Sequence, residues 1–342
     1  MTRPLHMTDV AIIGAGPVGL FAIFECGMLR LKCHVIDALD MVGGQCAALY
    51  PEKPIYDIPA HPNILAQDLV VNLKQQAEPF EPVYHLGQRV EEITRQDTGR
   101  FVLKTSTGVE INAGAIIIAA GVGAFGPNRP PLAGIEQYEG NSVHYFVKNR
   151  ELFRDKRIVI GGGGDSAVDW ALSLSEIAAQ VTLVHRRAKF RAAPESLVRL
   201  EDLAASGKIE LAVPYQLSGL EGEGNQLAGV HLEDLDGNKK TVAADYLLPF
   251  YGLAMNLGPI ANWGLNLDRS HITVDHSTSQ TSEAGIYAIG DIAHYPGKLK
   301  LILTGFAEAA QAAHAARAML HPDEVLHFEY STTKGVPAAA TA

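Results

Sequence analysis

The sequence predicts an α/β protein with two Rossmann-like, three-layer nucleotide-binding domains, one inserted into the other. Three observations carry this. Short apolar runs at Val10–Ile13 and Arg157–Ile160 read as buried parallel strands. Each leads into a glycine-rich turn and then an apolar helix pattern. The strand that follows ends in an acid in the first unit and in cations in the second. A length of 342 residues allows about two domains at roughly 150 residues each.

In the first unit the strand runs directly into Gly14-Ala15-Gly16-Pro17-Val18-Gly19, and a helix is expected over Leu20–Leu29. Gly14 permits the tight turn, Gly16 lets a pyrophosphate approach the backbone, and Gly19 lets helix and strand pack closely. The helix N-terminus faces the phosphates, and Pro17 lies within the fingerprint turn. The next strand, Cys33–Ile36, ends at Asp37, which can accept from a ribose hydroxyl. The plain alternative is a glycine turn with no ligand, but strand, turn, helix, strand and acid in this order favour a dinucleotide site.

The unit recurs at Gly161-Gly162-Gly163-Gly164-Asp165-Ser166-Ala167, with Gly162, Gly164 and Ala167 in the fingerprint positions and a helix expected over Val168–Ile177. The following strand, Val181–Val184, ends in His185-Arg186-Arg187, with Arg191 nearby. A solvated basic loop is the bland reading. After a fingerprint, arginine in place of the acid suits a 2′-phosphate, so this half reads as an NADPH site. The acid of the first half tolerates the free ribose hydroxyl of FAD. Two unlike sites in one chain suggest a flavin beside a nicotinamide, a pairing suited to hydride transfer.

Composition narrows the classes further. Hydrophobic residues at 47% and charged residues at 19% exclude a disordered chain. A net charge of −10 argues against general nucleic-acid binding. No apolar stretch approaches the ~18 residues of a membrane span. Cys26, Cys33 and Cys46 form no Cys-x-x-Cys. Cys26 and Cys33 read as core, and Cys46, with no adjoining partner, carries no catalytic role. A reducing cytoplasm is the expected setting.

Three further segments complete the pattern: the apolar strand Ala115–Ile118 before Ala119-Ala120-Gly121, the strand Gly285–Ile289 ending in Gly290-Asp291, and an alanine-rich helix over Thr304–Leu320. With the two fingerprints, these resemble the two-dinucleotide-domain flavoprotein reductases. Gly43-Gly44-Gln45 and His185-Arg186-Arg187 look like thioredoxin reductase. That enzyme carries a redox Cys-x-x-Cys shortly before its second fingerprint; here the corresponding stretch, Val143–Val147, has no cysteine. The chain continues past its last helix through Phe328-Glu329-Tyr330-Ser331-Thr332. With Leu49-Tyr50-Pro51-Glu52-Lys53-Pro54, this resembles the thioredoxin-reductase-like ferredoxin–NADP reductases, whose members lack the cysteine pair and carry a tail over the flavin.

The resemblance implies hydride transfer between NADPH and FAD and one-electron steps to ferredoxin or flavodoxin, in a homodimer. Tyr50, held by two prolines, would stack on one flavin face, with Tyr56 as a weaker rival. Tyr330 would cover the other face, with Phe328 as the alternative and Thr332 at the polar edge. Asp291 would meet the ribityl-phosphate portion, Gln45 the flavin or ribityl chain, and a backbone group at Val90 the adenine. Phe125 would pack near the flavin or anchor a hinge. The FAD domain is expected over 1–120 and 254–342, and the NADPH domain over 124–250. Basic clusters at Lys148, Arg150, Arg154, Lys156 and Arg157, and at Lys298 and Lys300, are candidate docking patches. The alternative function is NADPH-dependent flavin reduction of another acceptor, such as a disulfide or quinone.

Overall fold

Strand β1 (Leu5–Ile13) lies between two parallel partners. It pairs with β2 (Cys33–Ile36) from Val10↔Cys33 to Ile13↔Ile36, and with the strand Glu110–Ile118 from Leu5↔Glu110 to Ile13↔Ile118. Val10, Ala11 and Ile12 are fully buried, as are Ile116, Ile117 and Ile118. These are unbroken apolar runs, as a sheet covered on both faces requires. The computed structural model describes residues 5–324, without the side chains of residues 124, 125, 253 and 254.

The chain divides into two compact units, Met1–Phe125 with Met255–Ala342, and Gly126–Ala254. The first holds a seven-stranded sheet. The strand Val83–His85 lies at one edge beside β2, and an antiparallel meander of Phe101–Thr105 and Val90–Arg95 extends it beyond Glu110–Ile118. The strand Glu110–Ile118 forks. Its first half pairs with the meander, and its last residues pair in parallel with Ile286–Ala288. One face is covered by α1 (Pro17–Met28), α3 (Ala66–Ala77) and α6 (Ile302–Leu320), with α2 (Gly44–Ala48) preceding α3 in the chain. The other face packs on Leu257, Ile260, Leu265 and Ile272.

In the second unit four parallel strands run in the order Ile209–Ala212, Gln180–Val184, Arg157–Gly161, Tyr246–Pro249. The helix α4 (Asp165–Leu174) follows the glycine turn, and α5 (Pro194–Ala205) follows the basic loop. A three-stranded antiparallel sheet supplies Leu217, Leu227, Val230 and Leu232 to this unit's core. Its last turn, Asp234–Asn238, is a hairpin in which Asp234 N–H donates to the Asn238 carbonyl and Asn238 N–H donates to Asp234 Oδ1.

Helix ends differ from the sequence expectation for definable reasons. Helix α1 starts at Pro17, since Gly16 is its N-cap, and α4 starts at Asp165, one residue after its N-cap Gly164. Both fingerprints enter their helices earlier than apolar periodicity suggests. The strand expected to end in Gly290-Asp291 stops at Ala288. Gly290, at φ +72°, turns the chain into the short 3-10 helix Gly290–Ile292.

Beside β2 lies a pair of nearly buried histidines. His34 Nδ1 and His85 Nε2 are 2.9 Å apart, and the His6 ring lies 5.7 Å and 5.1 Å from theirs. Burial first, then the neighbouring rings, lower His34 to about 4, and His85 is lowered for the same reasons. Unfolding returns both to the ordinary imidazole value, so the unfolded state binds more protons as acid is added. The stability they contribute is complete above pH ~6.5 and is lost as pH falls toward 4. The unfolding midpoint in urea should therefore drop between pH 7 and pH 4.5, and His34→Gln should flatten that drop; equal slopes in both proteins would contradict this account.

Candidate functional site

In the first unit, a cavity of about 540 Å³ opens at the carboxyl ends of the parallel strands. This is within the size range of small-molecule sites. Gly14, at φ +111°, closes the turn; a Cβ there would stand 2.3 Å from the Ala119 carbonyl oxygen. A Cβ on Gly19 would stand 2.0 Å from the Gly14 carbonyl oxygen, so helix and turn meet with no room for a side chain. Gly16 differs. A Cβ there would find only the Gly44 Cα, at 3.9 Å, and otherwise open space. Helix α1 has no side-chain cap, so its first N–H groups are left to other acceptors. Pro17 occupies the first helical position, where a missing N–H costs nothing.

Asp37 follows β2 and lines the cavity. Its Oδ2 accepts from Ala15 N–H at 2.6 Å and its Oδ1 from Leu39 N–H at 2.8 Å. Burial raises its carboxyl above the ordinary range, and these two bonds oppose the rise. Each oxygen keeps a lone pair for a further donor. Gln45, in α2, and Tyr50, just after it, line the same cavity, as do Val90 and Asp291. Burial, then the neighbouring Cys46 thiol and Asp291, push the Tyr50 phenol up. Cys46 is itself pushed up to about 11 by burial, which keeps it a thiol at neutral pH. Tyr56 is largely exposed, at 59%, and is not among the cavity-lining residues. Phe125 falls in the strand Ala124–Pro127, and its side chain is not described. Tyr330, Thr332 and Phe328 lie outside the described residues.

Several walls escaped sequence reasoning. Asn256, Ile260 and Trp263 line the cavity, and the Trp263 indole donates to the Glu91 carbonyl at 3.3 Å. Leu301, the uncapped N-cap of α6, and Lys300 also line it. Beneath the Gly290-Asp291 turn lies Glu308, 2% exposed. Its Oε2 accepts from Gly290 N–H at 2.7 Å, and its Oε1 accepts from the Tyr295 hydroxyl at 2.8 Å and from Lys298 Nζ. Burial and the Glu308 bond push the Tyr295 phenol up to about 12, so it donates at neutral pH. A glutamate inside an alanine-rich helix was the available sequence signal.

The second unit builds a parallel arrangement with different chemistry. Gly162 has φ +151°, and a Cβ there would stand 2.7 Å from the Phe250 carbonyl oxygen. Gly164 is the uncapped N-cap of α4, and Asp165, Ser166 and Ala167 form its first turn. The basic loop returns to the turn: Arg191 N–H donates to the Gly163 carbonyl at 2.7 Å, and Ala193 N–H to Asp165 Oδ1 at 3.0 Å. The His185 ring lies so close over Gly163 that a Cβ there would be 2.2 Å from it. Burial first, then Arg186, Arg187 and Arg191, hold His185 below its ordinary value. The side chains of Arg186, Arg187 and Arg191 are exposed. Asp165 thus fastens the loop that carries the arginines.

Residues 8–319 match the family model described as pyridine nucleotide-disulphide oxidoreductase. A ferredoxin–NADP reductase of Paramagnetospirillum magneticum is 62% identical, over 97% of this chain and 98% of its own length. One from Granulibacter bethesdensis is 61% identical, over 96% and 94%. The chain belongs to the ferredoxin–NADP reductase family. Thioredoxin reductase from T. acidophilum shares the fold, with a TM-score of 0.80 at 24% identity over 92% of this chain and 98% of that one.

This member of the ferredoxin–NADP reductase family has three cysteines, all buried and unbridged. Cys26, on α1, and Cys33, on β2, sit in the same core, and Cys46 lies at the cavity. Lys298 is not a docking residue. Its side chain is 3% exposed and paired with Glu308, so its charge serves the interior. Within the other basic cluster, Arg150, Arg154 and Arg157 pair with Glu176, Glu151 and Asp245. Among the described residues no cluster of His, Cys, Asp or Glu side chains could hold a metal ion, and no helix is long and apolar enough to cross a membrane. Asp165→Ala should release the arginine loop. Tryptic cleavage after Arg186, Arg187 or Arg191 should quicken several-fold while the thermal midpoint changes little; unchanged cleavage would show that Asp165 does not restrain the loop.

Proposed function

We propose that this reductase holds FAD in the cavity of its first unit and NADPH on the second fingerprint, and moves electrons between NADPH and ferredoxin or flavodoxin. The observation that carries this is the pair of cradles with opposite polarity, an acid tied to the first glycine turn and arginines tied to the second. Gly16 supports a diphosphate in the first cradle, because any side chain there would project into the space such a group needs. The uncapped N-termini of α1 and α4 offer N–H groups and a positive dipole end to phosphates. Asp37 would take a ribose hydroxyl on its remaining lone pairs. Asp291 and Gln45 would meet the ribityl and ring portions. Tyr50 would give a flat apolar face, and Val90 a backbone contact to adenine. When bound, FAD supplies the exchange between a two-electron hydride donor and one-electron carriers.

Gly162, Gly164, Ser166 and Ala167 would cradle the NADPH diphosphate, and Arg186, Arg187 and Arg191 its 2′-phosphate. His185, kept neutral, packs the loop against Gly163 without adding charge. The resemblance also places Tyr330 and Thr332 at the flavin and makes Phe125 a neighbour of the ring or a hinge anchor. It further supports a homodimer, and three buried thiols without a disulfide suit the cytoplasm. With no Cys-x-x-Cys in the sequence, a dithiol relay to an external disulfide is not the route by which electrons leave.

Ferredoxin-dependent reduction of cytochrome by FAD-loaded protein tests the reading. NADPH should support it far better than NADH. Arg187→Ala should raise KM for NADPH about tenfold or more, the range of a lost charged hydrogen bond, and leave KM for NADH unchanged. Equal use of both nucleotides by the unaltered protein would remove the 2′-phosphate assignment. Rapid flavin reduction without any gain from ferredoxin would point to another acceptor.

A further inference from the structure

The buried face of α6 is a stripe of small residues, Gly305, Ala309, Ala312, Ala313 and Ala316, interrupted by Glu308. The stripe lets α6 approach closely: a Cβ on Gly305 would stand 2.4 Å from the Val18 side chain and 3.4 Å from the Gly290 Cα. One helical turn further on, the Glu308 carboxylate meets three donors. Two belong to opposite ends of the segment that leads from the Gly-Asp turn to α6: Gly290 N–H and Lys298 Nζ. The third, Tyr295, lies between them. Glu308 and Lys298 side chains are each 3% exposed. A buried ion pair of this kind seldom stabilises a fold more than well-packed apolar residues would. What it does supply is fixed geometry.

We infer that Glu308 is a positioning residue for the flavin site: through Gly290, Tyr295 and Lys298 it fastens both ends of the 290–300 segment to α6. Asp291 follows Gly290 directly, and Lys300 and Leu301 follow Lys298 by two and three residues; all three line the cavity. One carboxylate therefore sets where two separate parts of the cavity wall stand. Lys298 supplies the opposite charge that this buried carboxylate pairs with, and Tyr295 donates to the same carboxylate oxygen. The inference rests on the reading that this cavity holds FAD.

A double-mutant cycle on FAD affinity tests it. Apoprotein is prepared by removing flavin, and FAD is titrated back while its fluorescence quenching is followed. Glu308→Gln should weaken FAD binding at least about tenfold and alter the absorption band shape of the bound flavin. In an Asp291→Asn background the same change should cost much less, because its effect runs through the turn that carries Asp291. Equal losses in both backgrounds, or no loss in either, would overturn the inference and leave Glu308 a general packing residue. Lys298→Met, run through the same cycle, carries the test if Glu308→Gln apoprotein does not fold. Failure of unaltered apoprotein to bind FAD would instead defeat the reading of the cavity, and this inference with it.

Discussion

Backbone meeting backbone without intervening side chains is the constraint on which the first unit depends. At Gly14 and Gly19 a single methyl group would collide with a carbonyl oxygen 2.3 Å or 2.0 Å away. Absence of those methyls lets α1 start directly against the turn after β1. That places the uncapped helix N-terminus at the cavity and puts Ala15 N–H within reach of Asp37. Were α1 displaced by the width of a side chain, the open space at Gly16 and the carboxylate of Asp37 would no longer share one cavity. Gly305 extends the same principle to α6, which packs on Val18 and the Gly290 turn.

The two units use one local design for different chemistry. Both run strand, glycine turn and uncapped helix, so both present free N–H groups and a positive dipole end. They differ in what the next strand delivers. After β2 an acid bonds back to the turn at Ala15 N–H. After the strand Gln180–Val184 a basic loop bonds back through Arg191 N–H and through Asp165. The backbone scaffold is common, and the side chains at the end of the second strand give the two turns opposite charge.

The fold is shared with thioredoxin reductase, but the chain contains no Cys-x-x-Cys. Cys46, the cysteine at the cavity, is held as a thiol by its burial. Charge is placed elsewhere: on Asp37 and Asp291 at the cavity wall, on the exposed arginines of the second unit, and on the Glu308–Lys298 pair beneath the Gly-Asp turn. This last pair shows why reading charge from sequence runs misleads. Lys298 and Lys300 look alike in the chain, yet Lys298 is sealed in the interior while Lys300 reaches the cavity and His271.

Sequence alone determined the features that depend on neighbours within a few residues. These are the two glycine fingerprints, the acid and the arginines that end the next strands, the buried apolar runs and the missing cysteine pair. Each follows from local sterics or from the period of an element, so each is legible in a single stretch. Tertiary structure decided what depends on separations of many residues. It brought Asn256, Ile260 and Trp263 to the same cavity as Gly14 and Asp37. It ended the Gly-Asp strand early, because Gly290 takes a positive φ against Val18. It gave Asp165 to the arginine loop and Lys298 to Glu308. A charged side chain's partner is set by where the chain returns in space, and no local pattern encodes that return.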